Sequence, residues 1–504
     1  MSGYWLIVMG AVPLLGAIVV ALLPEKLVKL STLGFSLATF VVGIIIAALF
    51  DSGGDRFQGN LSWSWISSFG VSFAVGIDGI ALVMLLLIGV LVPVVVIASW
   101  NDETPGNRSP RAFFAWLLVL EVMMIGVFVA TDVFLFYVFF EAMLVPMYFL
   151  IGSFGGPRRQ YAAMKFFLYS LLGGLVMLAA VITLYFASPA HSFAFAKLVG
   201  TVDPGYQKVL FLGFFLAFAI KAPLVPFHTW LPDAGAEAPV GGAVLLVGVL
   251  DKVGTFGFLR YCLPLFPEAS RYFAPAVLVL SVIGILYGAI VAVGQRDMKR
   301  LVAYTSIAHF GFIGIGIFAF TTQGGTGAVL YMVNHGLSTG MLFIAVGMLM
   351  ARGKSRLISD YGGVGQSTPW LSGAFFIAGL SSLALPGLST FISEFLTLVG
   401  TFTVHKVYAI LATVGIIFAA LYVLWMYQRL FHGPVNENAP QKISAFKDLN
   451  VREAWAIAPL LVLILALGVY PKPMLDIINP AVKATMQNVQ KHDPAPTVKT
   501  EAGK

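Results

Sequence analysis

Several ionisable side chains of this sequence lie inside long apolar stretches, where an isolated charge is costly. A lysine or aspartate in the middle of a membrane costs roughly 2.5 to 3.5 kcal/mol, so each such residue needs a partner, water or a function. Carboxylates, lysines and histidines can take up and release protons, because burial and opposite charges move their pKa values toward neutrality. These groups together predict a route for protons through the protein. They are Glu121, Glu141, Lys221, His228, Asp251, Lys252, His309, His335 and Glu394.

A purely structural explanation stays open beside this prediction. Static ion pairs could hold helices together at Lys221, Glu141 and Glu394, and a lone histidine is more often a hydrogen-bonded core residue than a proton relay. Asp251 and Lys252 are adjacent in the sequence, and neighbours on an α-helix point about 100° apart. We therefore expect Lys252 to face the route and Asp251 to modulate it.

The composition is that of a membrane protein. Of 504 residues, 59% are hydrophobic and only 11% are charged, which excludes a soluble domain with an ordinary surface. The single cysteine, Cys262, excludes a disulfide framework, a cysteine-based zinc site and a self-contained iron–sulfur cluster. We expect no metal ion and no redox cofactor in this chain, so electron transfer must take place elsewhere.

Apolar stretches of about 18 to 25 residues predict an all-α polytopic membrane protein with about fourteen transmembrane helices. The loops after odd-numbered helices hold most of the loop lysines and arginines, so the positive-inside rule places both termini on the outer side of the membrane. The net charge of +7 therefore reflects orientation and indicates no nucleic-acid partner. The helices are predicted near residues 4–23, 31–50, 78–98, 112–130, 133–152, 164–187, 209–229, 240–261, 273–293, 301–320, 326–350, 371–400, 408–431 and 456–474.

Predicted helix 7 is interrupted within "LAFAIKAPLVPFHTWLPDA", residues 216–234. Pro223 and Pro226 each remove a backbone donor, which leaves two carbonyls, those of Ala219 and Ala222, without helical partners. Freed carbonyls persist in a membrane only where protein or water satisfies them. The sequence therefore predicts a discontinuous helix that lines a hydrated cavity, with Lys221 at the break.

Predicted helix 12 is interrupted in the same way within "SSLALPGLSTFISEF", where Pro386 frees the carbonyl of Ser382 ahead of Glu394. Broken helices 7 and 12 are five apart, which predicts two inverted five-helix repeats, helices 4 to 8 and helices 9 to 13. Two simple kinks are the alternative. The predicted parts are residues 1–111 with helices 1 to 3, 112–262 with the first repeat, 263–431 with the second, and 432–504 with the last helix and a polar C-terminal tail.

Proton movement across a membrane must be driven. Transfer of one charge against 100 mV requires about 2.3 kcal/mol, and the sequence shows no phosphate-binding loop or dinucleotide fingerprint in its required strand context. The energy must therefore come from another ion gradient or from a partner protein.

Five segments, in this order, closely resemble the antiporter-like membrane subunits of respiratory complex I. The segments are "YVFFEAMLVPMYFLIG", "AIKAPLVPFHTWLPDA", "DKVGTFGFLR", "QRDMKRLVAYTSIAHFGF" and "LPGLSTFISEF". Within that family the chain is most similar to the M type, because Glu394 stands where the L and N types and the multisubunit cation/proton antiporters have a lysine. The resemblance covers nearly the whole chain.

The resemblance implies a role for each matching residue. Glu141 is the acid of helix 5 that pairs with Lys221, the lysine of helix 7, and Lys252 is the lysine of helix 8 on a central hydrophilic axis. Glu394 is the group on the exit side. Supporting positions are matched by Glu121, a carboxylate of helix 4, and by the histidines His228, His309 and His335.

The family also implies a function and partners. The chain is expected to translocate protons in the membrane arm of a proton-pumping NADH:quinone oxidoreductase, beside L-type and N-type chains and in contact with the lipid bilayer. Partner subunits are expected to carry FMN and iron–sulfur clusters and to bind NADH and quinone. The expected location is the bacterial plasma membrane, with an organellar inner membrane as the alternative.

Two other functions remain open at this stage. The chain could belong to a multisubunit sodium/proton antiporter, against which Glu394 argues, or it could be a structural spacer, against which the number of costly buried charges argues. The sequence also departs from the family pattern "HTWLPDAHxEAP", because Gly235 stands in place of its second histidine. A proton uptake route through that histidine is therefore in doubt for this chain.

Overall fold

The structure is a computed structural model, and it describes residues 1–102 and 109–489. It is an almost entirely helical bundle. Among the described residues, twelve helices are long and apolar enough to cross a membrane. The two other predicted helices, 7 and 12, are interrupted, so the count of fourteen stays a prediction.

The first part of the chain forms one small sheet and helices that pack around the largely buried α3. The elements are α1 (Tyr4–Leu22), α2 (Glu25–Leu49), β1 (Gln58–Ile66), β2 (Val71–Ile77), α3 (Gly79–Ala98), α4 (Pro110–Val129), α5 (Val133–Ala142), α6 (Leu144–Phe154), α7 (Arg159–Ala187) and α8 (Phe195–Leu198). The antiparallel hairpin β1–β2 was not predicted. Its indoles Trp63 and Trp65 are about half exposed, as is typical of aromatic side chains at a membrane interface.

The middle of the chain holds the most buried elements. These are α9 (Pro204–Lys221), α10 (Trp230–Glu237), α11 (Val240–Leu245), α12 (Lys252–Gly257), α13 (Leu263–Leu265), α14 (Pro267–Val293), α15 (Met298–Phe318) and α16 (Thr322–Gly353). Predicted helix 8 is one span, Val240–Leu265, but two stretches of it, Leu246–Leu250 and Phe258–Cys262, are π-helical. Each π-helical stretch widens the helix by one residue, a feature often found at functional sites.

The last part of the chain returns to lipid-facing helices. Its elements are α17 (Pro369–Ser382), α18 (Ser389–Phe402), α19 (Lys406–Phe431), α20 (Val451–Val469) and α21 (Lys472–Asn488). The helix α21 lies where we expected a polar tail. It buries Ile478, Val482 and Met486 against α3 and α16, while its other face stays polar.

Contacts between loops divide the molecule into two faces. On one face, the guanidinium of Arg56, before β1, donates to the hydroxyl of Thr485 in α21 at 2.7 Å. On the opposite face, Arg356, after α16, forms ion pairs with Glu237 at 3.0 Å and with Asp297 at 2.8 Å. Each of these contacts joins segments that the sequence analysis assigns to the same side of the membrane.

Candidate functional site

The helix break at Lys221 is held by backbone and indole hydrogen bonds. The helix α9 ends at Lys221 and α10 begins at Trp230, which agrees with the predicted discontinuity. The carbonyl of Ala219 accepts from the backbone N–H of Leu224 at 2.9 Å, and the carbonyl of Ile220 accepts from Nε1 of Trp230 at 2.8 Å. Leu224 thus replaces the donor that Pro223 removes from Ala219, and the indole serves the carbonyl of Ile220 in place of Leu224.

Lys221 lies in an aromatic pocket. Its side chain is 1% exposed, and its ammonium nitrogen lies 4.7 Å from the ring centre of Phe140 and 5.8 Å from that of Phe166. Within the described part of the chain, this nitrogen has no hydrogen-bond partner. Aromatic faces attract a cation, but they do not replace the hydrogen bonds that an ammonium group has in water.

Glu141 is the electrostatic partner of Lys221 and not its contact partner. It lies near the end of α5 and is half-buried. Among the residues that the structure describes, no ion pair within 4.0 Å joins the two side chains. Each is nevertheless the charged neighbour that acts electrostatically on the other. The predicted pair is therefore a pair at longer range.

Lys252 lies at the centre of a dense cluster in the span Val240–Leu265, which is predicted helix 8. Its ammonium nitrogen lies 3.1 Å from Oδ1 of Asp251 and 2.6 Å from Nδ1 of His335, and it donates to the carbonyl of Val247. The four residues of this cluster are fully buried, namely Val247, Asp251, Lys252 and His335. Asp251, which we expected to modulate Lys252, follows the π-helical stretch Leu246–Leu250 and lies in direct contact with Lys252.

A polar path leads from Lys252 towards Glu394. The rings of His335 and His309 meet edge to face with centres 5.1 Å apart, and the ring of Tyr331 lies 5.8 Å from that of His309. The hydroxyl of Tyr331 donates to Oε2 of Glu394 at 2.7 Å. On the side of His335, its Nε2 lies 3.2 Å from the hydroxyl of Ser306.

The second helix break contributes to this path. Between α17 and α18 the chain leaves the helix, with Ala384 and Gly387 in left-handed backbone conformations at φ +60° and +93°. The backbone of Ser382, whose carbonyl was predicted to lose its helical donor to Pro386, lies close enough to act on His309. The break therefore supplies a polar group to the relay.

Two predicted site residues lie apart from this path. Glu121 is fully buried in α4, and within the described residues neither of its oxygens has a hydrogen-bond partner. His228 lies in the segment between α9 and α10, where its ring packs edge to face on Tyr287 at 4.9 Å. The structure joins neither residue to the chain from Lys252 to Glu394.

Sequence reasoning missed two residues near the site, Tyr331 in α16 and Asp233 in α10. Tyr331 lies four residues before His335, so helical spacing could have placed both on one face. Asp233 in α10 accepts from Lys165 and from Arg300, each at 2.7 Å. Near it, a Cβ at Gly235 would lie 3.3 Å from Cβ of Ala303, so this position faces α15 in a packed, apolar place.

No group of three or more histidine, cysteine, aspartate or glutamate side chains that could hold a metal ion occurs in residues 1–102 and 109–489. The site instead contains a series of side chains that can carry protons. They are Glu141, Lys221, Lys252, His335, His309, Tyr331 and Glu394. Most neighbours from Lys252 onward are within hydrogen-bond or ring-contact distance. Such a chain is suited to passing protons through a dry protein interior.

Known proteins show the same architecture. The family described as "NADH:quinone oxidoreductase/Mrp antiporter, TM" matches residues 130–419. NADH-quinone oxidoreductase subunit M of Mycobacterium tuberculosis is 48% identical over 98% of this chain and 96% of that protein. A chain of respiratory complex I from Thermus thermophilus with bound NADH superposes with a TM-score of 0.88 at 32% identity, covering 96% of this chain and 99% of that one.

A chain of the Mrp complex from Dietzia sp. DQ12-45-1b is more distant in sequence. It has a TM-score of 0.83 but 21% identity, over 96% of this chain and 99% of that one, so it shows a shared fold only. The chain carries Glu394 in α18, directly after the second helix break, and it is similar to subunit M proteins along nearly its whole length. It therefore belongs to the antiporter-like subunit M family of NADH:quinone oxidoreductase, respiratory complex I.

Proposed function

We propose that this chain translocates protons in the membrane arm of a proton-pumping NADH:quinone oxidoreductase. The observation that carries the proposal is the buried chain of contacts from Asp251 and Lys252 through His335, His309 and Tyr331 to Glu394. Each member can hold or pass a proton. A protein that served only as a spacer would gain more stability from apolar packing at these places.

The two lysines of the site are held in different ways, Lys221 by a distant carboxylate and Lys252 by direct contacts. In the first half, Glu141 and Lys221 interact across more than ion-pair distance, and the ammonium group of Lys221 has no hydrogen-bond partner in the described chain. In the second half, Lys252 is held by a carboxylate, a ring nitrogen and a carbonyl. A small displacement of Glu141 changes the charge balance at Lys221, so we assign the responsive step to the first half and the relay to the second.

The driving reaction belongs to partner subunits. We propose that FMN, the iron–sulfur clusters and the NADH and quinone sites are carried there, and that L-type and N-type chains flank this one. The chain is a multi-pass membrane protein. We place it in a bacterial plasma membrane with both termini outside, which puts the face of Arg356, Glu237 and Asp297 in the cytoplasm and the hairpin β1–β2 with α21 outside.

Within the chain, we propose that residues 112–262 and 263–431 act as two inverted repeats, each with one broken helix. The breaks at 222–229 and 383–388 support this division, as do their positions beside Lys221 and beside the Ser382–His309 contact. Residues 1–111 and 432–504 then form the surrounding parts.

Purification in mild detergent tests the assignment. A chain tagged at its C-terminus should bring down flavin, iron–sulfur spectra and NADH:quinone activity from native membranes, whereas untagged membranes carried through the same steps should yield none. A colourless preparation that contains only small hydrophobic partners would instead identify an ion exchanger.

A test of the residues uses two lysines. In membrane vesicles, Lys252→Met should abolish most NADH-driven proton uptake, because methionine has a similar length but cannot carry a proton. Lys442→Met is the matched control, since Lys442 lies exposed in the loop before α20. Equal pumping by both variants would contradict the relay.

A further inference from the structure

The carboxyl group of Glu141 lies directly against the backbone of α7. A Cβ atom built at Gly174 would overlap Oε1 and the carboxyl carbon of Glu141 and would lie 2.9 Å from Oε2. No side chain, not even the methyl group of alanine, fits between them as they stand. Gly174 is itself buried, so the carboxylate occupies the space that this glycine leaves.

The neighbouring glycine brings the lysine helix close. A Cβ at Gly173 would lie 3.1 Å from Cα of Ala217 and 3.0 Å from Cδ1 of Ile220, both in α9 just before Lys221. The helix α7 packs on α5 as well as on α9. The pair Gly173–Gly174 therefore lies between the elements that carry Glu141 and Lys221.

Two consecutive glycines weaken a helix. Glycine in a helix interior is less favourable than alanine by roughly 0.5 to 1 kcal/mol, and α7 is a helix of 29 residues whose lipid-facing side would accept alanine. The close approaches at both glycines give a reason for this cost, because Gly174 leaves room for the carboxylate of Glu141 and Gly173 lets α9, the helix that ends at Lys221, approach.

We propose that Gly174 is a positioning residue that sets where the carboxylate of Glu141 lies relative to Lys221. It touches no substrate and carries no proton. Its role is to leave the space in which the carboxylate is held at longer range from the ammonium group instead of in contact with it. The inference rests on the proposed function, because it matters only if the charge balance between Glu141 and Lys221 controls proton transfer.

Size compensation tests this inference. Gly174→Ala should leave the amount of assembled complex unchanged and lower coupled turnover about tenfold or more, within the range that follows from displacing a catalytic group by about an ångström. Adding Glu141→Asp, which shortens the side chain by one methylene group, should restore part of the lost turnover relative to Gly174→Ala alone. Gly34→Ala is the control, since nothing lies within 4 Å of a Cβ at Gly34.

A second pair of variants separates positioning from packing. In a Glu141→Ala background no carboxylate is left to displace, so Gly174→Ala should then cause no further loss of assembly or turnover. The optimum pH of turnover should also move in Gly174→Ala and not in Gly34→Ala. A further loss in the Glu141→Ala background, no relief by Glu141→Asp, or full activity of Gly174→Ala would each overturn the inference. Full activity of Glu141→Ala alone would overturn the proposed function itself.

Discussion

Asp251 and Lys252 are neighbours in sequence and also an ion pair, with Oδ1 of the aspartate 3.1 Å from the ammonium nitrogen of the lysine and both side chains fully buried. The π-helical stretch Leu246–Leu250 directly precedes Asp251. The central lysine therefore has its counter-charge beside it in the same helix.

Asp251→Asn removes this counter-charge at nearly constant volume. The protonated form of Lys252 should then be less stable, so coupled turnover should decline at a lower pH than in the parent protein. A pH profile of NADH-driven proton uptake in vesicles measures this. Asp448→Asn is a control, because Asp448 receives backbone hydrogen bonds from Trp370 and Leu371 far from the axis. Superimposable profiles would mean that Asp251 is only structural.

Lys221→Ala and Glu141→Ala remove the two members of the long-range pair. Both variants should assemble at the parental level, because neither side chain makes a hydrogen bond to the other that packing depends on. Coupled turnover should fall in each, and the double variant should be little worse than either single one, since the two act together. Parental turnover with parental pumping in either variant would remove the pair from the mechanism.

Tyr331→Phe deletes the hydroxyl that donates to Glu394 at 2.7 Å. A hydrogen bond to a charged group contributes about 1.5 to 3 kcal/mol, so we expect turnover to fall about tenfold or more while the complex remains assembled. Tyr272→Phe is the matched control at an exposed position. If both variants pump equally, the contact between Tyr331 and Glu394 does not serve the relay.

Glu394→Lys reverses the charge at the end of the path. The tyrosine hydroxyl now meets an ammonium group, and the final proton carrier no longer has the affinity of a carboxylate. We expect a lower ratio of protons moved to NADH oxidised, measured by simultaneous recording of both in vesicles. An unchanged ratio would assign the exit to another group.

Trp230→Phe tests the helix break for stability. The indole N–H that serves the carbonyl of Ile220 at 2.8 Å is lost, and a buried acceptor left without a partner costs about 1 to 3 kcal/mol. The purified complex should therefore lose activity at a lower temperature than the parent. Trp370→Phe should not show this change, because Trp370 is 77% exposed.

Much of the fold follows from apolar length and from the placement of proline. Pro223, Pro226 and Pro386 lie at the two helix interruptions, where each removes a backbone donor, although α3 continues through Pro93 and α14 through Pro275. The hairpin β1–β2 and the helix α21 were missed for another reason. Their sequences are short or polar, and they become ordered by packing on other parts of the chain, as Thr485 does on Arg56.

The candidate site was only partly predictable. Charge inside apolar stretches singled out Glu141, Lys221, Lys252 and Glu394, since that signal depends on the cost of burial alone. Asp251 was expected to modulate Lys252 because the two are adjacent in sequence, but their contact distance of 3.1 Å depends on the local course of the helix, which the sequence does not show. The approach of Gly174 to Glu141 joins two helices and has no signal in either one.

The aromatic pocket of Lys221 has a consequence for which ions can travel. A hard metal cation such as sodium requires several oxygen ligands to replace its water shell, and the rings of Phe140 and Phe166 offer none. A proton needs only the amine itself, because it becomes part of the side chain and leaves no bare ion to be coordinated. The two rings at the first lysine therefore favour a group that carries a proton over a site that binds a metal cation.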